Sequence, residues 1–596
     1  MTDTTSQSVP YTTNGQTRTW TYGWNASGRL LSINGPLAAV GANDDITSFT
    51  YDAQGNNRLT MTNPLGKVTS YGAYDANGRP GTMTDPNGII TAFVYDAVGR
   101  VTTVTVKHPT TPAQDAITTI AYDAVGQVTG VTLPSTDQLI MDYNAAGQLI
   151  AMRAATGERR DYVYDAMGNI TSETTKRTNA TVSQQITRTF DELGRMLSLT
   201  LGPQRTTRWT YDKVGNATQI KAPGGGATTQ AFDALDRLVT TVAPDAGQTV
   251  MGYDVRDNLV SHTDPKTVAT QFVRNGFGDA IQEVSPDRGT STYWYNAAGA
   301  MTQSQDGRGQ IITYTRDFTG RVTSKVPTGL TAQTVTYTWD TGGISGSYGV
   351  GRLGKIVDGS GTTQFKYDHR GNMLIQQQAI GTTTAAKVTK AFNLADRITQ
   401  ITYPSGRIVQ YAYDTKGRVN KVQTKATSSV TTWTVLANTY TYEPFASVKS
   451  MALGNTLSVA NDWGNDGRLA SRRLYRTSGG ANLSLLSYAY DANDNIASIT
   501  DQVNANGTIW YGYDANDRLK LAAMNVGSVQ TGTESYAYTA GTNRLSSVTN
   551  ASGTRSVTYD GRGNTASETR PGAVSAGTTY DGYGRLTGYT RTDTGA

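Results

Sequence analysis

The side chains that most often carry out catalysis or bind metal ions are scarce in this sequence. Its 596 residues include no cysteine and three histidines, His108, His262 and His369. Without cysteine there is no disulfide framework, thiolate metal site or cysteine nucleophile. The histidines are far apart and lack metal-ligand spacing, so each is interpreted as a surface residue. We therefore expect a protein that is not an enzyme and that uses no metal and no cofactor.

Two short motifs resemble ligand-binding loops, but their surroundings favour turns. Residues 349–354 match G-x-G-x-x-G, yet a dinucleotide-binding loop requires a helix directly after it. The following residues, 355–361, pair a short apolar run with Gly-Ser-Gly, which is typical of a strand and a turn. Residues 491–495 resemble part of a calcium loop but lack the EF-hand spacing and terminal glutamate. Both segments are interpreted as structural turns.

No pair of carboxylates can be singled out for acid–base catalysis, because aspartate recurs at a regular interval. Tyr211-Asp212, Phe232-Asp233 and Tyr253-Asp254 follow one another at a spacing of 21 residues. The pattern is an aromatic residue, Asp or Asn, two variable residues, Gly or Asp, and then Arg, Asn or Gln. About two dozen copies occur between residue 20 and the end of the sequence.

The repeat changes the expectation about domains. A length of 596 residues would suggest several domains, whereas a fixed period predicts one repeat architecture. We therefore predict a single array over 1–596. Its least regular segment is 421–465, where Tyr442-Glu443-Pro444-Phe445 lacks the aspartate.

One repeat is predicted to contain a strand, a turn, a second strand and a second turn. In residues 91–105 two β-prone runs flank Asp96–Arg100, which we call the aspartate turn. Asp96 can accept hydrogen bonds from backbone N–H groups two residues on, and Gly99 supplies the positive φ that such turns need. The second turn, called here the return turn, is rich in Pro, Asp, Asn and Gly, as in 85–88.

The residues assigned a structural role in the aspartate turns share the repeat's aromatic, Asp, Gly and Arg positions. They are Tyr51, Asp52, Gly55, Tyr74, Asp75, Gly78, Arg79, Tyr95, Asp96, Gly99, Arg100, Tyr164, Asp165, Gly168, Tyr211, Asp212, Gly215, Tyr413, Asp414, Gly417, Arg418, Tyr559, Asp560, Gly563, Tyr580, Asp581, Gly584 and Arg585. Catalytic, cofactor-binding and metal-binding residues are predicted to be absent.

Stacked repeats of this kind predict an all-β fold built from one long antiparallel sheet. Side chains alternate between the two faces, so Trp209 and Tyr211 share one face and Arg208 and Thr210 the other. The aromatic stripe that results must be covered, or the sheet must curl on itself.

Composition and charge exclude several other classes. The 37% of hydrophobic residues argues against disorder, and no stretch reaches the ~20 apolar residues of a transmembrane helix. A net charge of +5 is too dilute to indicate nucleic-acid binding. The first ten residues have neither the basic region nor the apolar core of a signal peptide.

The repeat Tyr-Asp-x-x-Gly-Arg/Asn at a period near 21 resembles the YD repeat, also called the RHS repeat. The family includes bacterial RHS toxins of interbacterial competition, cocoon-forming subunits of insecticidal toxin complexes, and animal teneurins. The resemblance implies a β-sheet wound in a spiral around a cavity, which in bacterial members encloses a C-terminal toxin. It predicts a structural shell for a polypeptide effector in a polymorphic toxin or toxin-complex system.

The sequence departs from the bacterial family in two ways. Family members typically end their repeats in a core segment with Asp-Pro-x-Gly motifs, whose aspartates perform autoproteolysis. Here Asp85-Pro86-Asn87-Gly88 and Asp264-Pro265 lie in ordinary return turns, so no protease role is assigned to them. No C-terminal core or toxin domain is recognised after Tyr580–Arg585.

These departures define the expected partners and leave one alternative open. The partners are a polypeptide cargo, or a second chain that completes the shell and carries the family core segment, together with delivery machinery. Export to the cell surface or medium would use a route that this chain does not encode. The alternative is an extracellular adhesion or carbohydrate-binding repeat array.

Overall fold

A computed structural model of the chain describes residues 6–10, 17–39, 44–203, 205–223, 225–244, 246–445, 447–491, 493–503, 507–514, 516–526, 529–572 and 574–593. In chain order, strands β1 to β51 are Ser6–Pro10, Thr17–Trp24, Leu30–Asn34, Ile46–Tyr51, Arg58–Thr62, Val68–Gly72, Thr82–Thr84, Ile90–Tyr95, Val101–Val106, Ala116–Tyr122, Val128–Thr132, Gln138–Tyr143, Leu149–Ala154, Arg159–Tyr164, Ile170–Lys176, Val182–Phe190, Met196–Leu201, Arg205–Tyr211, Ala217–Lys221, Ala227–Phe232, Leu238–Val242, Gln248–Tyr253, Leu259–Thr263, Ala269–Arg274, Ala280–Ser285, Gly289–Tyr295, Met301–Gln305, Ile311–Arg316, Val322–Pro327, Val335–Trp339, Leu353–Asp358, Gly361–Tyr367, Met373–Ile380, Ala386–Phe392, Ile398–Thr402, Ile408–Tyr413, Val419–Lys425, Thr434–Tyr442, Val448–Leu453, Leu457–Trp463, Leu469–Arg476, Asn482–Tyr490, Ile496–Asp501, Gly507–Tyr513, Leu519–Val526, Val529–Tyr538, Leu545–Asn550, Gly553–Tyr559, Thr565–Arg570, Val574–Tyr580 and Leu586–Asp593.

All 51 strands belong to one sheet. Each strand pairs antiparallel with the next strand in the chain, as β8 does with β9 and β36 with β37. This order follows from the short turns, because a short connection joins antiparallel neighbours. The prediction of an all-β antiparallel sheet is confirmed.

Helix is almost absent from the described residues. It is limited to two 3₁₀ segments, Pro112–Gln114 and Thr331–Gln333, which lie in loops between strands. Neither has the length or apolarity that a membrane-crossing helix needs, and the described residues contain no other helix.

The residues that the structure describes form no central hydrophobic core. Its accessible surface is 31593 Å², whereas a solid globule of 63.7 kDa would expose about 20,000 Å² by the usual scaling. The buried apolar residues are instead spread along the chain, and examples are Ile89, Ala151, Ile312, Phe365 and Val459. The excess surface is that of a single-layered sheet whose two faces are both accessible.

The sheet winds on itself. Contacts outside the strand ladder join residues about 260 positions apart, such as Arg18 with Asp279 and Glu158 with Arg418. Glu158 precedes β14 and Arg418 precedes β37, so 23 strands separate the two turns. At ~4.8 Å per strand, one winding of this size is a ring about 35 Å across. The chain therefore makes rather more than two windings.

The winding predicts a particle more expanded than a compact protein. We expect small-angle X-ray scattering to give the pair-distance distribution of a hollow body, with its maximum at longer distances than that of a solid sphere of the same mass. A solid-sphere distribution would contradict the single-layered winding.

Candidate functional site: the aspartate turns and the seam between windings

Each aspartate turn is organised by one carboxylate. In the turn between β8 and β9, Asp96 Oδ1 accepts the N–H groups of Val98 and Arg100 at 3.1 and 2.9 Å. Asp96 Oδ2 accepts Arg100 Nε at 2.6 Å. The N–H of Arg100, and then its side chain, hold the pKa of Asp96 below its usual range despite partial desolvation. Asp96 is therefore a structural anion.

Other predicted turn residues have the same geometry. The carboxylate accepts the N–H four residues on at Asp52, Asp75, Asp165, Asp212, Asp414, Asp560 and Asp581. Glycine has positive φ at Gly55, Gly78, Gly99, Gly168, Gly215, Gly417, Gly563 and Gly584. Where aspartate replaces this glycine it also has positive φ, as at Asp236 and Asp257, which fits the tolerance of Asp for this region.

The tyrosine of each repeat is tied to the preceding repeat. Tyr211 Oη donates to the carbonyl oxygen of Met196 at 2.8 Å, and Tyr253 Oη to that of Leu238 at 3.0 Å. The same bond from hydroxyl to carbonyl is made by Tyr51, Tyr74, Tyr95, Tyr164, Tyr413, Tyr559 and Tyr580. A phenol with a half-buried ring and a bonded hydroxyl suits this position, because it packs and satisfies a carbonyl at once.

Two repeats use arginine in place of the aromatic residue, which the sequence pattern did not reveal. Arg274 Nε donates to Leu259 O at 2.7 Å, and Arg316 Nε to Met301 O at 3.1 Å. Both acceptors lie 15 residues earlier, the same separation as for Tyr211 and Met196. Arg274 and Arg316 directly precede the Asn or Asp of their repeats, which is the position of the aromatic residue elsewhere. Following the 21-residue spacing through these two repeats would have identified arginine as its replacement.

Arginine at the end of the turn links neighbouring repeats. Arg100 Nη1 donates to Asp123 O in the next aspartate turn at 3.0 Å, and its guanidinium lies 4.6 Å from the centre of the Tyr122 ring. Arg195 and Arg237 repeat both contacts with the following turn. Each arginine thus bridges its own aspartate to the next repeat, where cation–π contact adds to the hydrogen bond.

Return turns of one winding meet aspartate turns of the next winding, and we call this contact the seam. Glu158, in the return turn before β14, is 7% exposed. It is paired with Lys416 and with Arg418, whose Nη1 lies 3.1 Å from its Oε1. Asp137 is likewise paired with Arg397 across the seam. The seam is therefore held by charge pairs removed from water.

The irregular segment contains a seam contact in place of the missing aspartate. Glu443 lies at the aspartate position but is 5% exposed, and its Oε2 accepts Ser183 Oγ at 2.5 Å and Arg177 Nη2 at 2.7 Å. Burial raises the pKa of Glu443, but the bonds from Ser183 and Arg177 outweigh it and lower the pKa overall. The longer side chain reaches the neighbouring winding, which a turn aspartate would not do.

The expectation that all three histidines are surface residues is wrong for His369. This residue lies in the aspartate turn after β32 but is 7% exposed, and the His108 ring of the neighbouring winding lies 4.6 Å away, centre to centre. His369 Nε2 is buried without a hydrogen-bond partner. Burial, and then the charge of Arg370, lower its pKa. The described residues contain no cluster of three potential metal ligands.

His108 and His262 are half-buried. His108 Nδ1 accepts the N–H of Thr111 at 3.0 Å in the loop before β10, whereas His262 lies within β23.

The two motifs that the sequence analysis interpreted as turns lie in turns of the structure. Residues 349–352 form part of the loop after β30, where Val350 N–H donates to Asn87 across the seam. Asp491 accepts the N–H of Asn495 as a repeat aspartate.

Fold and site together define a structural β-shell class: one spiral sheet, a repeated turn and a charge-paired seam. Two family models match the sequence. The Teneurin YD-shell model matches residues 135–342, and the RHS Repeat model matches 51–90, 74–111 and 392–430. Together they cover just over half of the chain, and the chain belongs to the YD-repeat, or RHS-repeat, family.

Solved structures show the same fold at low sequence identity. The crystal structure of TcdB2-TccC3 is 15% identical with a TM-score of 0.71, and it aligns with 99% of this chain and 38% of its own. The Photorhabdus luminescens Tc holotoxin pore is 14% identical with a TM-score of 0.75, covering 99% and 39%. The chain thus spans about two fifths of these structures. No curated protein sequence matches it.

Replacing one seam carboxylate should loosen the windings. Glu158→Gln keeps the shape of the side chain but leaves Lys416 and Arg418 without their shared anion. We expect a loss of about 2–4 kcal/mol in the free energy of unfolding, measured by urea denaturation. As control, Asp142→Asn removes a more exposed pair with Arg153 inside one winding, which should cost below ~1 kcal/mol. Equal losses would argue against a seam held by buried charge.

The buried histidine should make stability depend on pH. Because the folded pKa of His369 is lowered, the unfolded chain binds the proton first, so stability falls as the pH drops below ~6.5. We expect the urea midpoint of the wild type to decrease between pH 7 and pH 5, and His369→Asn to flatten this decrease. His262→Asn is the control for losing a histidine in mid-sheet. If the urea midpoints of the wild type and of His369→Asn decreased in parallel with falling pH, His369 would not be the cause of the pH dependence.

Proposed function

We propose that this protein is a non-enzymatic structural shell that encloses a polypeptide effector as part of a toxin-delivery system. The observation that carries the proposal is the accessible surface, which exceeds that of a solid globule by about half. A sheet that winds more than twice without a packed core has its interior available for other contents.

The dimensions suit a polypeptide. A ring about 35 Å across retains about 25 Å of free diameter once side chains extend about 5 Å inward from each wall. An α-helix with its side chains is 10–12 Å wide, so helical or extended chain can occupy the interior.

The repeated residues support a role in building the wall. The carboxylates of the aspartate turns are engaged by backbone N–H groups, and the tyrosine hydroxyls by backbone carbonyls. A general base or nucleophile must reach its substrate instead. The proposal therefore assigns these residues to scaffold and none to catalysis.

The matched structures support a second polypeptide as partner. They are TcdB2-TccC3 and a Tc holotoxin pore. We propose a comparable arrangement, in which a second polypeptide completes the shell or occupies it and the assembly acts outside the cell that made it.

Protease protection tests encapsulation. An unfolded, protease-sensitive reporter would be fused after Ala596, and its digestion compared with that of the free reporter. We expect the enclosed reporter to be cut at least tenfold more slowly. The same fusion carrying Glu158→Gln should lose part of this protection, because the seam is weaker. A fused reporter digested as fast as the free one would contradict encapsulation by this chain.

A further inference from the structure

The first winding carries an unusual row of exposed apolar side chains. Seven of the eight aspartate turns between residues 96 and 258 have a large apolar residue at the tip, with exposures from 61% to 98%. The remaining turn has Ala145 and Ala146. We call this row the aspartate rim: Val98, Val125, Met167, Leu193, Val214, Leu235 and Val255.

Several tips that a neighbouring winding covers are polar. Lys416 is paired with Glu158, Asn516 Nδ2 donates to Asp264 Oδ2 at 3.1 Å, and Arg562 lies 3.5 Å from Asp306. Other covered tips are aromatic, because the Phe277 ring packs against Arg18 and the Phe445 ring against Arg160 of the neighbouring winding. Apolar tips therefore also fit into a seam. An exposed apolar row of this kind is typical of a surface that another polypeptide covers.

The opposite rim of the spiral also exposes apolar residues. The return turns of the second winding, from residue 380 onward, carry the residues that we call the return rim: Ile380, Tyr403, Val503, Val526 and Val529, each 39–64% exposed. In the seam, return turns and aspartate turns already fit each other. The return rim and the aspartate rim therefore present the two kinds of turn from which a further seam could be formed.

We propose that the return rim of one copy of this chain binds the aspartate rim of a second copy, head to tail. Within one copy, the aspartate turns of the second winding lie on the return turns of the first winding. The aspartate turns of a second copy would lie in the same way on the last return turns of the first copy. Both rims belong to one sheet and recur at the same interval of two strands, about 10 Å. Their turns therefore stay in step around the ring.

Apolar burial supplies the driving force in this interface, in contrast to the charged seam. Seven side chains of this size and exposure offer an area on the order of the ~800 Å² that each partner contributes to a standard interface. The contact is heterologous, so it leaves one rim of each kind open and allows short stacks. The inference does not depend on whether the shell holds a cargo.

The test is the oligomeric state of the full chain. Sedimentation velocity from about 1 to 100 μM, a range that suits a modest interface, should show the mass rising with concentration. The aspartate-rim variant Val125→Lys/Leu193→Lys/Leu235→Lys should need at least tenfold more protein to associate. The matched control, Val94→Lys/Val163→Lys/Val273→Lys, alters half-exposed residues on the strand wall and should associate like the wild type.

A mixing experiment identifies the head-to-tail geometry. A return-rim variant, Ile380→Lys/Val529→Lys, should also fail to associate alone. Mixed with the aspartate-rim variant, it should form a heterodimer and no longer stack, because each variant keeps the rim that the other lacks. Circular dichroism and thermal unfolding would verify that both variants are folded.

Three outcomes would overturn the proposal. These are a wild-type chain that stays monomeric throughout the range, an effect of the wall variant equal to that of the rim variant, and two rim variants that do not complement each other. If the wild type stayed monomeric, the partner of the aspartate rim would be a different polypeptide.

Discussion

The carboxylate of the aspartate turn is the interaction on which the rest of this structure depends. By accepting backbone N–H groups two and four residues on, Asp96 and its counterparts hold the turn in one conformation. The strand register shifts by one residue beside the turn, between Val94 and Tyr95, and such a bulge bends the strand and increases its twist. Repeated about two dozen times, the same bend gives a sheet that closes on itself. The tyrosine and the arginine of each repeat then bind a neighbour whose position is already set.

A single layer distributes stability in an unusual way. With no central core, each repeat depends on its two neighbours in the sheet, as in other repeat proteins. The hydroxyl of Tyr253 and the guanidinium of Arg237 both serve these nearest-neighbour contacts. The seam adds a second kind of contact, between turns about 260 residues apart. Charge pairs such as Glu158 with Arg418 contribute to this contact.

Much of the local structure could be predicted from residue types. Asp, Gly and Arg at fixed spacing indicated the turn, the alternation of residues indicated the strands, and both are where the pattern placed them. The repeat pattern did not identify positions where a residue of another type takes the place of the usual one. Arg274 and Arg316 replace the aromatic residue but still donate to the carbonyl 15 residues earlier. Glu443 looked like a degenerate aspartate, and its partners Arg177 and Ser183 cannot be recognised from local spacing.

The sequence by itself determined the repeating unit, because a turn, a bulge and a cross-strand bond involve residues within about 25 positions of one another. Only the tertiary structure decided which turns face each other. That choice depends on a twist summed over more than twenty strands, so a small change per strand would move the seam by a whole turn. His108 and His369 illustrate the difference, since each looked like an isolated surface residue. The winding places them in contact and buries His369, because the return edge of one winding lies against the aspartate edge of the next.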